Sequence, residues 1–240
     1  MMKIKTFLMF FLLSTSACTI RPNPLGWEEK TIETKYLSFA VWEKNIQPNA
    51  PLRIYIEGDG NPTPKRPIAF ELSERDKNDN IIYVSRPCQY VFCQECKNPD
   101  LWGKERFNEE IVDEMKSLIS YLAKKYNSTE LELVGYDGGG TMALLIATKM
   151  PVNRVITIGG ILDTKNYAEE QGITLNGMNP ADYKPRLSSV PQVHYVGMND
   201  NKATRAQAER FVGRMRNPVS AVVKLVPNAN HTNWKNLIVE

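Results

Sequence analysis

Residues 131–147 constrain the fold more than any other part of this sequence. The segment opens with the alternating apolar residues of a strand, passes through a cluster of glycines, and continues as an apolar run of helical character. The turn reads Gly-Tyr-Asp-Gly-Gly at 135–139, with Asp137 at its centre. A sharp turn of this kind usually reads Gly-x-Ser-x-Gly and presents a nucleophilic serine. The segment therefore predicts a strand, a tight turn and a helix, with an aspartate in the serine position.

Short apolar strands alternate with amphipathic helices along the rest of the chain. Ile111, Met115 and Leu118 have helical spacing and mark the clearest helix. Such alternation predicts one α/β domain, a mostly parallel twisted sheet with helices on both faces. Residues 161–191 form the longest irregular stretch and predict at most a small cap. Further strands are predicted at 36–42, 52–56, 81–84, 155–160, 193–197 and 221–226, with helices at 68–75, at 203–215 and around Trp234.

The N-terminal residues carry the features of an export signal. Lys3 and Lys5 precede an apolar run at 7–13 that is too short to span a bilayer. Small residues then lead to Cys18, as in a bacterial lipoprotein signal. We expect residues 1–17 to be removed, Cys18 to be lipidated, and residues 18–30 to tether a domain at 31–240 to a bacterial membrane, facing the periplasm or the cell surface. The alternative is an ordinary cleaved signal peptide with a chance cysteine.

The composition limits the possible partners. The chain has 30 basic and 27 acidic residues, and without Lys3 and Lys5 the two counts nearly balance. No nucleic-acid surface is therefore expected. A hydrophobic content of 42% with 24% charged residues excludes a disordered chain or one with many membrane spans. The expected partners are a small-molecule substrate or ligand and, through the lipid, a membrane.

Three further cysteines lie close together at Cys88, Cys93 and Cys96. In an exported chain they predict one disulfide with one cysteine left over, and their spacing does not select the pair. The CxxC formed by Cys93 and Cys96 lies in a loop well before the next helix, which disfavours a thioredoxin-type redox site. Three thiols without a nearby histidine also disfavour zinc. No metal or cofactor is predicted.

Polar residues follow several of the predicted strands. Because the carboxyl ends of parallel strands meet at one edge of a sheet, these residues are expected to converge. Asp137, Asp200 and His231 follow in the order nucleophile, acid, base. Asp200 would orient the His231 imidazole, and Asp163 is the reserve acid. His194 lies within an apolar strand and is expected to be structural.

Backbone N–H groups near the same edge could stabilise negative charge. Gly58 and Asp59 follow an early strand, and Gly138 follows Asp137, the central residue of the 135–139 turn, which we call the elbow. Their N–H groups together could form an oxyanion hole. The alternative for Gly58, Asp59 and Gly60 is a plain tight turn.

Taken in order, these motifs resemble the α/β-hydrolase fold, and more narrowly a family of exported bacterial hydrolase-like lipoproteins. The resemblance covers nearly the whole mature domain and implies hydrolysis of a small molecule. The family has serine where this chain has Asp137, which puts esterase chemistry in doubt. By the same resemblance, Cys88 pairs with Cys96 and Cys93 is unpaired. The matching stretches are Tyr55–Gly60, Arg86–Tyr90, Trp102, Arg106-Phe107, Leu133–Gly140, Leu162-Asp163, Leu175–Asp182 and Pro227–Trp234.

An aspartate at the elbow changes the chemistry that can be expected. Its carboxylate is ionised without help, but attack on an ester carbonyl would give an anhydride. Attack on an alkyl carbon bearing a halide or an epoxide oxygen gives an enzyme ester, which His231 could hydrolyse by activating water. Haloalkane dehalogenases and epoxide hydrolases of this fold work in this way. Two alternatives stay open: Asp137 as a helix N-cap, and an inactive envelope protein that binds a ligand or partner.

Overall fold

The computed structural model describes residues 22–59, 63–215 and 220–240. The expected signal peptide, Cys18 and Gly60 lie outside these residues. The sheet has eight strands in the order β1-β2-β4-β3-β5-β6-β7-β8. The strands are β1 (Trp27–Glu33), β2 (Ser38–Lys44), β3 (Leu52–Ile56), β4 (Ile81–Val84), β5 (Leu131–Tyr136), β6 (Arg154–Ile158), β7 (Gln192–Gly197) and β8 (Ala221–Val226). The helices are α1 (Ile68–Glu74), α2 (Glu109–Lys125), α3 (Gly138–Ala147), α4 (Thr164–Gln171), α5 (Lys184–Leu187) and α6 (Arg205–Gly213).

The sheet is parallel from β4 through β8 and antiparallel only at the edge formed by β1 and β2. All residues of β3 and β4 are buried, as expected for strands covered by helices on both faces. The prediction of a mostly parallel α/β sheet is confirmed. Because β3, β5, β7 and β8 run in one direction, the loops after them meet at the same edge.

Each face of the sheet has its own hydrophobic core. One core contains Ile111 and Met115 of α2 together with Leu144 of α3. The opposite core is aromatic: the Phe70 ring of α1 lies 6.1 Å from Trp42 and 5.0 Å from Tyr83. Burying each such side chain contributes about 1.5–3 kcal/mol to folding. Together the two cores fix the position of the strands, and so of the polar loops that follow their carboxyl ends.

The structure differs from the sequence prediction at both ends of the domain. β1 begins at Trp27, within the segment 18–30 that was assigned to the tether. The helix predicted around Trp234 is wrong, because residues 231–240 form turns and irregular chain. The Trp234 side chain is 2% exposed and its Nε1–H donates to the His231 carbonyl oxygen at 2.8 Å. The apolar residues at this end therefore mark burial against the sheet and not a helical face.

Short helices occupy the segment 161–191 that was expected to be irregular. α4 is capped at its start by the Asp163 side chain, which accepts from the Asn166 N–H at 3.3 Å. It ends at Gly172 in the left-handed conformation, with φ of 63°. The segment is thus a small helical insertion. Among the residues described, no helix combines the length and the apolar character needed to cross a bilayer.

Candidate active site

Asp137 lies on a strained turn between β5 and α3. Its backbone has φ of 50° and ψ of −122°, a region that non-glycine residues rarely adopt. The turn is so tight that a Cβ on Gly135 would lie 2.1 Å from the Gly139 carbonyl oxygen. The Asp137 N–H donates to Ile158 of β6 at 3.0 Å, which fixes the turn to the neighbouring strand. These constraints hold the carboxylate out beyond the edge of the sheet.

The His231 imidazole lies between two carboxylates. Its Nε2 is 3.3 Å from Asp137 Oδ1, and its Nδ1 is 3.0 Å from Asp200 Oδ2. Asp200, after β7, is fixed in turn by the N–H groups of Lys202 and Ala203, which donate to its Oδ1 at 2.9 and 3.0 Å. The structure therefore brings together the elbow residue, the acid and the histidine from three separate loops.

The second oxygen of Asp137 faces the loop after β3. The Asp59 N–H donates to Asp137 Oδ2 at 3.3 Å. The Gly58 N–H donates instead to the Glu57 side chain at 2.8 Å, so it is directed away from the elbow. Of the groups assigned to an oxyanion hole, Asp59 is in hydrogen-bond contact with Asp137, and the Gly138 N–H stabilises the ionised carboxylate. Gly58 is engaged elsewhere in this structure.

Two arginines hold the Asp59 side chain in place. Arg86 Nη1 is 2.6 Å from Asp59 Oδ1, and Arg106 Nε is 2.7 Å from Asp59 Oδ2. Both guanidinium groups lie over the Phe107 ring, at 5.4 and 5.3 Å from its centroid. Arg86 also donates to the Arg106 carbonyl oxygen at 2.8 Å. This buried cluster fixes the backbone of the turn whose N–H faces Asp137.

Glu57 is a buried carboxyl group behind the same turn. Its Oε1 accepts the N–H groups of Gly58 at 2.8 Å and Ala69 at 3.3 Å, and its Oε2 accepts the Tyr83 hydroxyl at 3.0 Å. Burial raises the pKa of Glu57 to about 7 in spite of these donors. Glu57 thereby joins the turn to the start of α1. The sequence alone does not mark Glu57, Arg86 or Arg106 as site residues.

The charges at the centre of the site are strongly coupled. Burial acts to raise the pKa of Asp137, but the hydrogen bond and charge of His231 outweigh it and the pKa lies below its ordinary value. Burial acts to lower the pKa of His231, but the bonds to Asp137 and Asp200 raise it to about 9. At neutral pH the site therefore holds an imidazolium between carboxylates.

Other candidate residues have structural roles or lie beside the site. Apart from the influence of the adjacent Gly138 N–H on its charge, the Asp137 side chain makes no hydrogen bond that caps α3, so N-capping does not explain its place at the helix start. Asp163, the reserve acid, caps α4 and accepts from Asn179 Nδ2 at 3.1 Å. His194 is fully buried and 2.8 Å from Thr157 Oγ1, and burial lowers its pKa to about 3. It is a core residue, as the sequence predicted.

Aromatic residues approach the site from two sides. Tyr167 of α4 is half-buried, and burial together with the charge of Asp137 raises its pKa. Trp102 lines a small cavity with Asp59, Arg86 and Arg106. Nearby, Cys88 and Cys96 are joined by a disulfide.

Residues 94–236 match the model of the Dienelactone hydrolase family. The chain belongs to the dienelactone hydrolase family. This match includes Asp137, Asp200 and His231. A search of curated proteins finds no significant match.

Solved structures share the fold of this family member at low sequence identity. Est1E from Butyrivibrio proteoclasticus has a TM-score of 0.64 and 11% identity, over 85% of this chain and 90% of the other. A proline iminopeptidase-related protein from Thermus thermophilus has a TM-score of 0.62 and 13% identity, over 86% and 91%. The α/β-hydrolase GrgF from a Penicillium species has a TM-score of 0.61 and 11% identity, over 88% and 92%. Family and fold together support a hydrolase of the α/β-hydrolase fold.

Proposed function

We propose that this protein is a hydrolase in which Asp137 is the nucleophile, His231 activates water and Asp200 orients His231. The main support for the proposal is that the two oxygens of the Asp137 carboxylate have different partners. Oδ1 is 3.3 Å from His231 Nε2, and Oδ2 accepts the Asp59 N–H at 3.3 Å. Each oxygen thus has the partner that a different step of a carboxylate-nucleophile reaction requires. The substrate class is a small molecule with a halide or an epoxide oxygen on a saturated carbon.

In the first step the ionised Asp137 attacks the substrate carbon. A carbon–oxygen bond forms, and the bond to the halide or epoxide oxygen breaks with its electron pair. The halide leaves to solvent as its anion, and an opened epoxide oxygen takes a proton from solvent water to become a hydroxyl. The depressed pKa of Asp137 keeps the nucleophile ionised, so no base is needed. The product of this step is an ester of Asp137.

In the second step water hydrolyses that ester. Negative charge develops on the former carboxylate oxygen in the tetrahedral intermediate, and the Asp59 and Gly138 N–H groups are suited to stabilise it. The proton of the attacking water passes to His231 Nε2, while Asp200 holds the other ring nitrogen. Collapse of the intermediate releases the alcohol and restores the carboxylate.

The charge of Asp137 also controls when His231 can act as a base. In the free protein two carboxylates hold a proton on the imidazole. Esterification removes the charge of Asp137, so the proton affinity of His231 falls and the ring can lose its proton. The base is therefore released only after the nucleophile has reacted, which supports a two-step reaction.

We further propose that the enzyme acts in the bacterial envelope as a lipoprotein. The support is the sequence at 1–17 and the cysteine that follows it, Cys18. Cys18→Ser should move the full-length protein from the membrane fraction to the soluble fraction, and the mass of the wild-type protein should include acyl chains. An unmodified Cys18 in membrane-extracted protein would contradict the anchor.

One observation favours a binding protein as the second candidate. Both oxygens of Asp137 already have partners within the protein, and Asp59 is neutralised by Arg86 and Arg106. A site whose charged groups already have partners within the protein could be stable without catalysing a reaction and could hold a ligand in the remaining space.

Covalent trapping separates the two candidates. His231→Ala should accumulate an alkyl-enzyme ester when incubated with a panel of haloalkanes and epoxides, and intact mass followed by peptide mapping should locate it on Asp137. Asp137→Asn in the same background is the matched control and should give no adduct. Hydrolysis of short p-nitrophenyl esters by the wild-type protein, abolished in His231→Ala, would refute the carboxylate nucleophile. The absence of adduct and turnover together with a retained ligand would favour the binding protein.

A further inference from the structure

The three clustered cysteines form an arrangement that the proposed hydrolysis does not use. Their sulfur atoms all lie within 4.8 Å of one another. Cys88 and Cys96 are bonded, and the free Cys93 Sγ lies 3.1 Å from Cys96 Sγ. The Cys93 N–H also points to Cys96 Sγ, at 3.5 Å. A free thiol is therefore in direct contact with one sulfur of a disulfide.

Burial distinguishes the three sulfurs from one another. Cys88 and Cys96 are 4% and 3% exposed, whereas Cys93 is only partly buried and follows Phe92, which is 72% exposed. Solvent reagents can thus approach Cys93 more readily than either bonded cysteine. Cys93 is therefore an accessible thiol in contact with a buried disulfide.

We propose that Cys88, Cys93 and Cys96 form an intramolecular thiol–disulfide exchange centre, in which the bridge moves between Cys88–Cys96 and Cys93–Cys96. Cys93 first loses its proton to solvent. Its thiolate attacks Cys96 Sγ, a Cys93–Cys96 bond forms, and the Cys88–Cys96 bond breaks. The electron pair leaves on Cys88 Sγ, which takes a proton from solvent. One disulfide and one thiol exist before and after, so the step needs no external oxidant or reductant.

The exchange would change a loop that borders the candidate active site. Cys88 lies in the loop 86–90, which is tied to the turn after β3 by Arg86 bonded to Asp59 and by Gln89 Nε2 donating to the Gly58 carbonyl oxygen at 3.1 Å. Cys88 has φ of 65°, an unfavourable conformation for a non-glycine residue. Moving the bridge to Cys93 removes the covalent bond that holds Cys88 to Cys96. The position of the bridge is thereby linked to the turn that carries Asp59, whatever reaction the site performs.

Thiol mapping tests the proposal on the wild-type protein. The native protein is held without reductant at pH values from 6 to 9, because the thiolate is the attacking species, and is then quenched with acid, denatured and alkylated below pH 6. Peptide mapping should find label on both Cys93 and Cys88, with exchange faster at higher pH. Cys93→Ser is the matched control, because it keeps the Cys88–Cys96 bridge and should show no label at Cys88 or Cys96.

Two further measurements sharpen the test. Cys88→Ser, treated with glutathione disulfide, should contain a Cys93–Cys96 bridge and no free thiol at either of these two cysteines. Reduction of the native bridge by dithiothreitol should be about tenfold slower in Cys93→Ser, since the reagent must then reach buried sulfurs directly. Label confined to Cys93 in the wild-type protein at every pH overturns the proposal, including when Cys88→Ser does not fold. An unchanged reduction rate in Cys93→Ser overturns it as well.

Discussion

The proton held by His231 between Asp137 and Asp200 leads to a measurable dependence of stability on pH. The pKa of His231 is raised from its ordinary value of 6.5 to about 9. Because the folded protein binds this proton more tightly than the unfolded chain does, the stabilisation is fully present below pH 6.5 and is lost as the pH rises through about 9. At ~1.36 kcal/mol for each pH unit between these values, the imidazolium contributes about 3 kcal/mol.

Removal of one carboxylate should separate this effect from other titrations. Asp137→Asn keeps the shape of the side chain and removes one of the two charges that face His231. We expect the His231 pKa to fall by at least one pH unit, and the loss of unfolding free energy between pH 6.5 and 9 to shrink by roughly 1–2 kcal/mol relative to the wild-type protein. Urea denaturation at several pH values measures the second quantity.

The histidine titration itself can be followed by NMR. The chain has only two histidines, and His194, with a pKa lowered to about 3, will not titrate in the alkaline range. The ring signal that moves between pH 7 and 10 therefore reports His231. Asp163→Asn is the matched control, since Asp163 caps α4 outside this cluster. A His231 midpoint near 6.5 in the wild-type protein, or a midpoint unchanged in Asp137→Asn, would contradict the stabilisation of the imidazolium by the two carboxylates.

Three further predictions concern the residues that support the site. Gly139→Ala should destabilise the protein by about 1–3 kcal/mol, because its Cβ would lie 2.3 Å from the Ile56 carbonyl oxygen. Gly213→Ala has open space around the new Cβ and should not destabilise the protein, and thermal unfolding compares the two variants. In the wild-type protein the buried Glu57 carboxyl binds its proton more tightly than in the unfolded chain, so the free energy of unfolding should fall between pH 4.5 and 7. Glu57→Gln should remove this fall, as urea titrations at both pH values will test. Arg86→Met should cost about 3–5 kcal/mol in denaturant unfolding by leaving Asp59 partly uncompensated; a cost similar to that of a surface substitution would contradict the buried cluster.

The central parts of the fold could be predicted from sequence because their signals are local. β3, β4 and β8 are short apolar runs, and the structure has them at the predicted residues. The glycines around Asp137 predict a tight turn because larger residues would not fit there. Polar residues after parallel strands meet at one edge of the sheet as a consequence of topology. These three signals sufficed to locate the candidate site.

Other features depend on contacts between distant segments and have no local signal. β1 has the sequence WEEKTIE and is an exposed edge strand, so its charged residues resemble a linker. Arg86 and Arg106 lie 27 and 47 residues from Asp59, and only the folded chain shows that they share its carboxylate. Glu57 is likewise unremarkable in sequence, since burial and not its neighbours in the chain raises its pKa.

The Asp137 carboxylate, whose two oxygens have different partners, also acts as a non-covalent cross-link. It connects the turn at Asp59, the elbow and the loop at His231, three segments that are far apart along the chain. A ligand that takes over one of its oxygens removes the restraint on the loop which that oxygen holds, the His231 loop for Oδ1 and the Asp59 turn for Oδ2. Deuterium exchange of the backbone amides near Asp59 and near His231 should then report which oxygen is occupied, so that occupation of the site can be detected before its substrate is known.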